Sequence, residues 1–460
     1  MRAAPYWHIE GAVPGVSWPG LPAPGGATVL ALLFWLERTQ WLTLDQLRER
    51  QLQQLQILLR HALATVPYYR ERWGGVYDPA TPLTFERFAA LPLLTRRELQ
   101  EQFENLKSRN VPPGHGGIRE SKSSGSTGTP VRILKTQLSG LFWNAFTLRD
   151  HAWHRRDLRG KLATIRHGIP AGEFEHWGAA TAGLVADGTS AVLGVRDSVQ
   201  SQLRWLEQQQ PDYLMTYPSI AAELAKLVIA GGNRLSRLRE VRTLGEQLAP
   251  EVRELCREAW SVPVRDLYSA DEVGYIALQC PEHEHYHTVE EGLLVEILDE
   301  QDRPCAPGQL GRVVVTSLHN FAMPLIRYEL GDYAEPGEPC PCGRGLPVLR
   351  RVAGRVRNML VSAAGERYWP TFDPRSPAWL ASIRQRQIAQ VEYDLIEVRL
   401  VSGAALSEEQ EGRLRALILS RLPAGFRMRF DYREQIARST GGKYEDFVCE
   451  IPARFTDGSR

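Results

Sequence analysis

The stretch Ser123-Ser124-Gly125-Ser126-Thr127-Gly128-Thr129-Pro130 alternates hydroxyl side chains with glycine and ends in proline. Glycine permits positive φ and a close approach of the main chain to a ligand, and successive N–H groups in such a turn form a concavity that binds anions. A flexible Gly/Ser linker has a similar composition, but Val131-Arg132-Ile133-Leu134 follows at once and is typical of a strand inside a domain. Because no lysine follows Gly128, this is not the triphosphate loop that ends in Gly-Lys-Ser/Thr. We therefore predict a cradle for phosphate groups.

Length and composition indicate a globular protein of more than one domain. The chain has 460 residues, which exceeds what one hydrophobic core usually serves, so about two or three domains are expected. Hydrophobic residues make up 43% and charged residues 24%, as is usual for soluble proteins. The net charge of +1 gives no reason to expect a nucleic-acid partner.

The N-terminal region and the cysteines favour a cytoplasmic protein without a membrane span. The apolar run at residues 27–36 is too short to cross a bilayer, and the Pro/Gly-rich stretch before it is a poor match to a signal peptide. Six cysteines in a chain of this length do not form a disulfide framework.

The middle of the chain alternates between helical and strand patterns. Helices are predicted at residues 198–209, 220–230 and 250–260, and strands at residues 213–216, 241–244 and 264–268. Such alternation favours a parallel α/β sheet covered on both faces. Ligands bind at the carboxyl ends of the strands in such sheets, where Gly245-Glu246 and the stretch from Tyr268 to Glu272 are found.

The predicted organisation is a large N-terminal domain, residues 1–353, and a small C-terminal domain, residues 354–460. Within the first, residues 275–350 read as a β unit because strand runs there are joined by Pro/Gly-rich turns. The tail has short strands and a helical pattern at residues 407–422, and is long enough for an α+β domain of its own.

Three residues have the chemistry expected around a bound nucleotide. Glu272 at a strand end is a natural Mg²⁺ ligand beside a phosphate cradle, although a solvated loop acid would look the same. Asp332 follows a glycine turn and suits ribose hydroxyls, although aspartate is also common in turns. Lys443 follows Gly441-Gly442 and could approach a polyanion, or be a surface lysine.

The ordered set of motifs is more specific than any one of them. After the loop come Leu244-Gly245-Glu246, Tyr268 with Glu272, Arg327-Tyr328-x-x-Gly331-Asp332, Gly354-Arg355 and Gly441-Gly442-Lys443. This series resembles the AMP-forming (adenylate-forming) ligase superfamily, in its phenylacetate–CoA ligase and capsule-biosynthesis-protein branch. The resemblance implies an α/β fold: a large N-terminal domain with mixed and parallel sheets covered by helices plus a β subdomain, and a small mobile α+β C-terminal domain.

The resemblance also implies roles for individual residues. The loop would hold the β- and γ-phosphates, Tyr268 would stack on adenine and Asp332 would bind ribose. The implied catalytic residues are Lys443, Glu272 and Thr127. The implied nucleotide-binding residues are Ser123, Ser124, Gly125, Ser126, Thr127, Gly128, Thr129, Gly245, Glu246, Tyr268, Ser269, Asp271, Asp332 and Arg355.

The implied reaction is ATP- and Mg²⁺-dependent formation of an acyl-AMP, with release of pyrophosphate and transfer of the acyl group to CoA. The chain departs from the family at the hinge, where Arg357 in Gly354-Arg355-Val356-Arg357-Asn358 replaces the usual acid. This departure keeps alternatives open: an amine or alcohol acceptor, or AMP transfer. Outside the class, the alternative is a non-catalytic nucleotide-binding protein.

A second constellation is rich in cysteine and histidine. Cys280, His283, His285 and His287 precede the pair Cys340 and Cys342. Thiolates and imidazoles are the ligands of structural zinc sites. We predict Zn²⁺ held by Cys280, His287, Cys340 and Cys342, with His283 as the rival imidazole and the choice among the three histidines open. Reduced cysteines without a metal are the alternative.

The acyl pocket is the least determined part of the sequence. The candidates are Trp143, His167 and Tyr217, with Phe146 and Trp177 as further aromatic residues, and each is also an ordinary core residue. They are consistent with an aromatic or hydrophobic acid. The predicted partners are this acid and its acceptor, with a homodimer as one candidate assembly.

Overall fold

The computed structural model describes residues 7–122, 130–231, 233–355, 359–362, 367–368, 383–420, 422, 425–438 and 443–451. Two predictions concern residues outside these ranges. The phosphate-binding loop, from Ser123 to Thr129 and including Thr127, is one, and Arg357 at the hinge is the other.

The N-terminal segment folds into helices that pack on the main sheet. They are α1 (Pro24–Thr39), α2 (Leu44–Thr65), α3 (Pro67–Arg72), α4 (Phe85–Ala89) and α5 (Arg96–Glu101). Thr43 begins α2 with a capping box: its side chain accepts from Gln46 N–H, and the Gln46 side chain accepts from Thr43 N–H. Helix α2 ends where Val66 takes extended angles, because Pro67 restricts the residue before it.

Two antiparallel strands flank, in the sequence, the residues that are predicted to form the phosphate loop. Strands β1 (Ile118–Lys122) and β2 (Arg132–Thr136) are antiparallel, with Lys122 opposite Arg132 next to the tip. Helix α6 (Gln137–Trp153) follows β2 directly. Helix α6 therefore begins at the end of the hairpin opposite to Lys122 and Arg132.

The central region forms the parallel half of a large sheet. Its strands are β3 (Leu162–Ile165), β4 (Gly172–Phe174), β5 (Ser190–Leu193), β6 (Tyr213–Thr216), β7 (Glu240–Leu244) and β8 (Val264–Ala270), and its helices are α7 (Val199–Gln209), α8 (Pro218–Ile229) and α9 (Pro250–Trp260). Strands β5, β3, β6, β7 and β8 are parallel neighbours in this order, and β4 adds an antiparallel edge. The predicted alternation of helices and strands is present.

The β unit continues the same sheet. Its strands are β9 (Gly274–Gln279), β10 (Tyr286–Thr288), β11 (Leu293–Leu298), β12 (Gly311–Ser317), β13 (Tyr328–Pro336) and β14 (Val348–Arg355). Over the described residues, the sheet has 12 strands in the order β11-β12-β13-β14-β10-β9-β8-β7-β6-β3-β5-β4. The change from parallel to antiparallel pairing occurs between β8 and β9, so the β8–β9 turn lies at the carboxyl edge of the parallel half.

The C-terminal part has a sheet and a hydrophobic core of its own. It contains β15 (Leu360–Val361), β16 (Arg367–Tyr368), β17 (Ile383–Glu392), β18 (Leu395–Ser402), α10 (Glu408–Leu419), β19 (Arg427–Tyr432) and β20 (Phe447–Cys449). The last four strands pair in the order β19-β18-β17-β20. Leu360 and Leu414 pack in the same buried cluster as Val398. The domain boundary at 353/354 remains a prediction.

Within the described ranges, no helix combines the length and the apolar character needed to cross a bilayer.

A buried ionic network fixes α6 to the parallel sheet. Asp150 Oδ2 on α6 accepts from Arg156 Nη1 at 2.6 Å and from Arg242 Nη2 at 2.7 Å, and Arg156 Nε donates to Glu240 at 2.6 Å. Burial opposes ionisation of Asp150, but the two arginines outweigh it and hold its pKa below the usual value. Asp150 therefore balances two guanidinium groups that water does not reach.

The substitution Asp150→Asn is expected to lower the free energy of unfolding by about 3–5 kcal/mol, because it leaves buried positive charge uncompensated. Urea denaturation of the full chain measures this. The control is Glu101→Gln, which removes an exposed pair with Arg97 and should cost at most about 1 kcal/mol. Equal unfolding midpoints for both variants would contradict the role of Asp150.

A second buried carboxyl group lies where α2 packs on the β unit. Glu290 is 4% exposed and its Oε2 accepts from Gln51 Nε2 at 2.5 Å, while Oε1 has no hydrogen-bond partner in the described part of the chain. Burial raises the pKa of Glu290 to about 7. The folded protein therefore holds a proton that the unfolded chain releases near the ordinary glutamate pKa.

This proton makes stability fall as pH rises from about 4.5 to about 7, because the folded state binds more protons than the unfolded state in that window. The variant Glu290→Gln has no such proton. Between pH 5 and pH 8 its free energy of unfolding is therefore expected to fall by about 2–3 kcal/mol less than that of the wild type. Urea midpoints at both values measure the difference. Parallel pH dependences for the two proteins would show that Glu290 ionises normally.

Candidate active site at the carboxyl edge of the sheet

Gly245 follows β7 at the carboxyl edge of the sheet. It has φ +77°, and a Cβ atom there would lie 3.3 Å from both the Tyr217 ring and Lys443 Cε. A side chain would thus be strained by the backbone and would also crowd Lys443. Glycine is needed here so that the lysine can lie against the strand end.

Lys443 reaches this edge from the C-terminal part of the chain. A Cβ on Gly245 would also come within 3.6 Å of Lys443 Nζ, so the ammonium group itself lies over the glycine. Burial and the nearby Arg355 lower the pKa of Lys443, while Asp332, Asp271 and Glu246 oppose this shift. The lysine is therefore surrounded by residues that the sequence analysis had grouped with it.

Glu246 joins the two parts of the chain. Its carboxylate accepts hydrogen bonds from Tyr444 N–H at 2.6 Å and from Ser219 N–H at 3.0 Å, with Arg438 Nη1 at 3.6 Å. The side chain is 6% exposed, and burial raises its pKa. Because Tyr444 follows Lys443 directly, this contact fixes the position of the lysine.

Tyr268, Asp332 and Arg355 form one hydrogen-bonded group. The Tyr268 hydroxyl donates to Asp332 Oδ2 at 2.8 Å, and Arg355 Nε donates to Asp332 Oδ1 at 3.2 Å. Asp332 and Arg355 are direct partners in the β13–β14 register, which explains why they meet. Burial and the Asp332 carboxylate raise the pKa of Tyr268 well above its usual value, so the phenol stays a donor.

Glu272 lies in the β8–β9 turn, close to Ser269 and Asp271, and is 4% exposed. Its Oε1 pairs with Arg96 Nη1 of α5 at 3.2 Å, and Lys135 Nζ of β2 donates to the Asp271 carbonyl. The sequence analysis did not identify Arg96 or Lys135. Arg96 is 176 residues away from its partner, so no local pattern could have signalled the contact.

The candidates for the acyl pocket divide into separate groups. His167 N–H donates to the Tyr217 hydroxyl at 3.3 Å, next to Gly245. Trp143 instead packs on Tyr275, with ring centroids 4.3 Å apart. Trp143 and Tyr275 line a cavity that neither His167 nor Tyr217 lines.

Phe146 and Trp177, the further aromatic residues, also separate. Phe146 on α6 is near Tyr275, with ring centroids 6.4 Å apart. Trp177 packs on Tyr213, 5.0 Å between centroids, and its Nε1–H donates to Gly160 O at 2.8 Å. Trp177 is therefore a half-buried residue packed against the main hydrophobic core.

The cysteine and histidine residues form a compact cluster. Ligand atoms of Cys280, His285, His287 and Cys340 all lie within 4.8 Å of one another, and Cys342 Sγ is 3.4 Å from His287 Nε2. The sulfur atoms of Cys280 and Cys340 are 3.8 Å apart, and all these cysteines are free.

The structure indicates which of the three histidines belong to the cluster. The ring of His283 stacks outside the cluster on His285, with centroids 5.1 Å apart. His287 Nδ1 lies 3.2 Å from the Leu346 carbonyl, so Nδ1 carries the proton and Nε2 faces the thiols. His285, rather than His283, is therefore the second imidazole of the cluster.

Sequence comparison relates the chain to ligases. A family model described as AMP-binding enzyme matches residues 123–323. The phenylacetate–coenzyme A ligase of Pseudomonas putida is 27% identical over 349 residues, which cover 73% of this chain and 76% of that protein. The enzyme of the same name from Thermus thermophilus is 26% identical over 342 residues, covering 71% and 74%.

Solved structures agree with the fold. A 2-hydroxyisobutyryl-CoA ligase, solved in a postadenylation state with an acyl-AMP, matches with a TM-score of 0.70 and 19% identity, over 90% of this chain and 92% of that one. An anthranilate–CoA ligase bound to anthranoyl-AMP matches with a TM-score of 0.54 and 16% identity, over 72% and 65%. The predicted fold class is confirmed.

The family-model match covers the loop, Gly245, the stretch from Tyr268 to Glu272 and the first part of the β unit. The structure brings Gly245, Tyr268, Asp332 and Lys443 to one edge of the sheet. The family model and the curated relatives support the AMP-forming (adenylate-forming) ligase superfamily for this chain, in a phenylacetate–CoA ligase-like branch.

Proposed function

We propose that this chain is an ATP- and Mg²⁺-dependent acid–CoA ligase, which forms an acyl-AMP with release of pyrophosphate and then passes the acyl group to CoA. One observation carries the proposal. Lys443 lies against Gly245, within electrostatic reach of Asp271, Asp332 and Arg355, at the strand ends where this class of sheet binds ligands.

Lys443 would act when the carboxylate attacks the α-phosphate. Negative charge then gathers on the transferring phosphoryl group and on the leaving pyrophosphate, and a pre-positioned ammonium group stabilises it. The clamp between Glu246 and Tyr444 N–H supplies this positioning at 2.6 Å. Lys443 belongs to the C-terminal part of the chain, so movement of that part away from the sheet would withdraw the cation after adenylation.

The group of Tyr268, Asp332 and Arg355 would hold the nucleoside. Each oxygen of Asp332 accepts one hydrogen bond, from Tyr268 at 2.8 Å and from Arg355 at 3.2 Å. A carboxylate oxygen can accept a second bond, so ribose hydroxyls can still bind. Tyr268 and Arg355 orient the Asp332 carboxylate for this role.

Glu272 fits the part of the Mg²⁺ ligand. Arg96 contacts only Oε1, and Oε2 makes no hydrogen bond with any described residue. Mg²⁺ favours a carboxylate oxygen together with phosphate oxygens and water, and would neutralise charge on the phosphates. Arg96 would hold the carboxylate in place.

Two observations bear on the acceptor. The curated relatives are phenylacetate–coenzyme A ligases, which favours CoA. Arg357 at the hinge keeps an amine or alcohol acceptor, or AMP transfer, as the second candidate. A non-catalytic nucleotide-binding protein is disfavoured because Lys443 and Glu272 are both retained and both lie at the strand ends.

We further propose that the cluster around Cys280 and Cys340 binds a structural Zn²⁺. Thiolates and imidazole nitrogens at this spacing are typical zinc ligands. A histidine that binds a metal usually donates its other ring N–H to a carbonyl or carboxylate, and the Leu346 carbonyl is placed to accept from His287 Nδ1 in this way. The ion would join the β9–β10 turn to the segment before β14. Cys342 or His285 would complete the set.

The decisive assay is pyrophosphate release with a panel of aryl, aliphatic and amino acids, with and without CoA. In this assay Lys443→Ala is expected to lower the rate at least about 100-fold, because it removes charge stabilisation from the transition state. Equilibrium binding of ATP should change by less than about threefold, since other groups hold the nucleotide.

The matched control is Lys226→Ala, which removes an exposed lysine paired with Glu223 on α8 and should leave the rate unchanged. Unchanged pyrophosphate release by Lys443→Ala would refute its role. Adenylate without thioester, detected by mass spectrometry, would move the proposal to a different acceptor.

Metal analysis tests the zinc proposal. Wild-type protein and the control Cys305→Ser are expected to hold about one Zn²⁺ per chain, and Cys280→Ser and Cys340→Ser much less, with lower melting temperatures. Cys305 is a free cysteine outside the cluster, so it controls for loss of a thiol. Equal metal content in all four proteins would refute the ligand set.

A further inference from the structure

Glu246 contacts the chain on both sides of the Gly441-Gly442-Lys443 stretch. After the lysine, Glu246 Oε1 accepts from Tyr444 N–H at 2.6 Å. Before the glycines, which lie outside the described residues, Arg438 Nη1 is 3.6 Å from the same oxygen. The position of Lys443 therefore depends on two attachments, and the clamp between Glu246 and Tyr444 N–H accounts for only one of them.

Arg438 makes a shorter contact with the start of helix α8. Its Nη1 donates to Ser219 Oγ at 2.9 Å, and the arginine side chain is only 18% exposed. A hydrogen bond from a charged donor is stronger than one between neutral groups, and partial burial reduces competition from water. Because the two residues are 219 positions apart, this bond joins the region of the parallel sheet to the C-terminal part of the chain.

Ser219 serves Glu246 and Arg438 at the same time. It is the second residue of α8, so its N–H has no partner within the helix, and it donates to Glu246 Oε2 at 3.0 Å. Its hydroxyl accepts from Arg438. A carboxylate is also favoured by the dipole at the start of a helix. The three residues therefore form one group, in which the helix start binds both the acid and the arginine.

The chain on both sides of the lysine is also bound to one strand of the C-terminal sheet. The Tyr444 hydroxyl donates to the Arg386 carbonyl on β17 at 2.6 Å. Ile436, which is 2% exposed, donates its N–H to Gln385 Oε1 on the same strand at 3.1 Å. The strand and the lysine segment are therefore expected to move together.

We propose that Ser219 and Arg438 are positioning residues for adenylation, which hold the chain before Lys443 against the sheet as Glu246 holds Tyr444 after it. Their hydrogen bond exists only while the C-terminal part lies against the sheet, so it stabilises this arrangement over any in which that part has moved away. The inference rests on the proposed function, because it names further residues that serve the adenylation step.

The two half-reactions should respond differently when this bond is lost. Adenylation needs the ammonium group of Lys443 at the sheet, whereas transfer to CoA follows its withdrawal. A contact that is present in only one arrangement changes the population of that arrangement and not the chemistry of the other. Pyrophosphate release should therefore slow, while thioester formation from supplied acyl-AMP and CoA should be as fast as in the wild type or faster.

The first variant is Ser219→Ala, which removes the hydroxyl and keeps the N–H that donates to Glu246. Alanine is a good helix former, so α8 should be retained. Single-turnover pyrophosphate release is expected to slow about tenfold, as for the loss of one hydrogen bond to a charged group, while equilibrium binding of ATP changes by less than about threefold. Ser219→Thr restores a hydroxyl and should recover most of the rate.

Arg438→Gln tests the other partner of the same bond. It should slow pyrophosphate release at least as much as Ser219→Ala, because the approach to Glu246 is lost as well. Since the two substitutions remove one shared interaction, the double variant should be at most about twofold slower than Arg438→Gln alone. Multiplied effects would show that the two residues do not act as a pair.

The matched controls remove similar groups elsewhere. Ser201→Ala removes a serine hydroxyl near the start of α7 that accepts from Arg204 Nη2 at 3.2 Å. Arg433→Gln removes an arginine of the C-terminal part that pairs with Asp431. Both controls should keep wild-type rates in the two half-reactions, and melting temperatures identify a variant that has lost its fold.

Hydrogen exchange separates this inference from the proposed function. The Tyr444 amide is bonded to Glu246, so it should exchange at least about tenfold faster in Ser219→Ala and Arg438→Gln than in the wild type or the controls. Faster exchange in a protein that releases no pyrophosphate with any acid would refute the function and support the inference. Unchanged exchange, or equal slowing of both half-reactions in a wild-type protein that does release pyrophosphate, would overturn the inference and leave the function intact.

Discussion

The active-site edge depends on the buried carboxylate of Glu246. A carboxylate removed from water needs hydrogen-bond donors, and Glu246 finds them in two main-chain N–H groups, Ser219 at the start of α8 and Tyr444 in the C-terminal segment. Because Tyr444 is the neighbour of Lys443, satisfying this acid also places the lysine against Gly245. One electrostatic requirement thereby connects the parallel sheet with the C-terminal part.

The continuous sheet explains how nucleotide-binding residues from distant segments meet. The parallel half ends at β8, and the antiparallel half begins at β9 without a break. Tyr268 comes from the parallel side, whereas Asp332 and Arg355 are register partners of β13 and β14 on the antiparallel side. The hydrogen bond of 2.8 Å from Tyr268 to Asp332 joins the two halves of the sheet at the point where the strand direction changes.

Charge in this protein is handled differently in the core and at the site. Asp150, Arg156 and Arg242 neutralise one another in the interior, where an unpaired charge would be costly. At the site, Lys135 lies between Arg119, its cross-strand partner of like charge, and the carboxylates of Asp271 and Glu272, so charges of both signs are close together there.

The sequence by itself indicated the AMP-forming ligase superfamily, the α/β class and the order of motifs, because strand-end glycines, acids and the Gly-Gly-Lys motif are local patterns. It could not determine which distant groups touch. Arg96 meets Glu272 across 176 residues. His285, and not His283, belongs to the cluster with Cys280, and Trp143 lines a cavity that neither His167 nor Tyr217 lines. These contacts were decided by the tertiary structure, since strand register and helix packing, not spacing along the chain, set which side chains share a space.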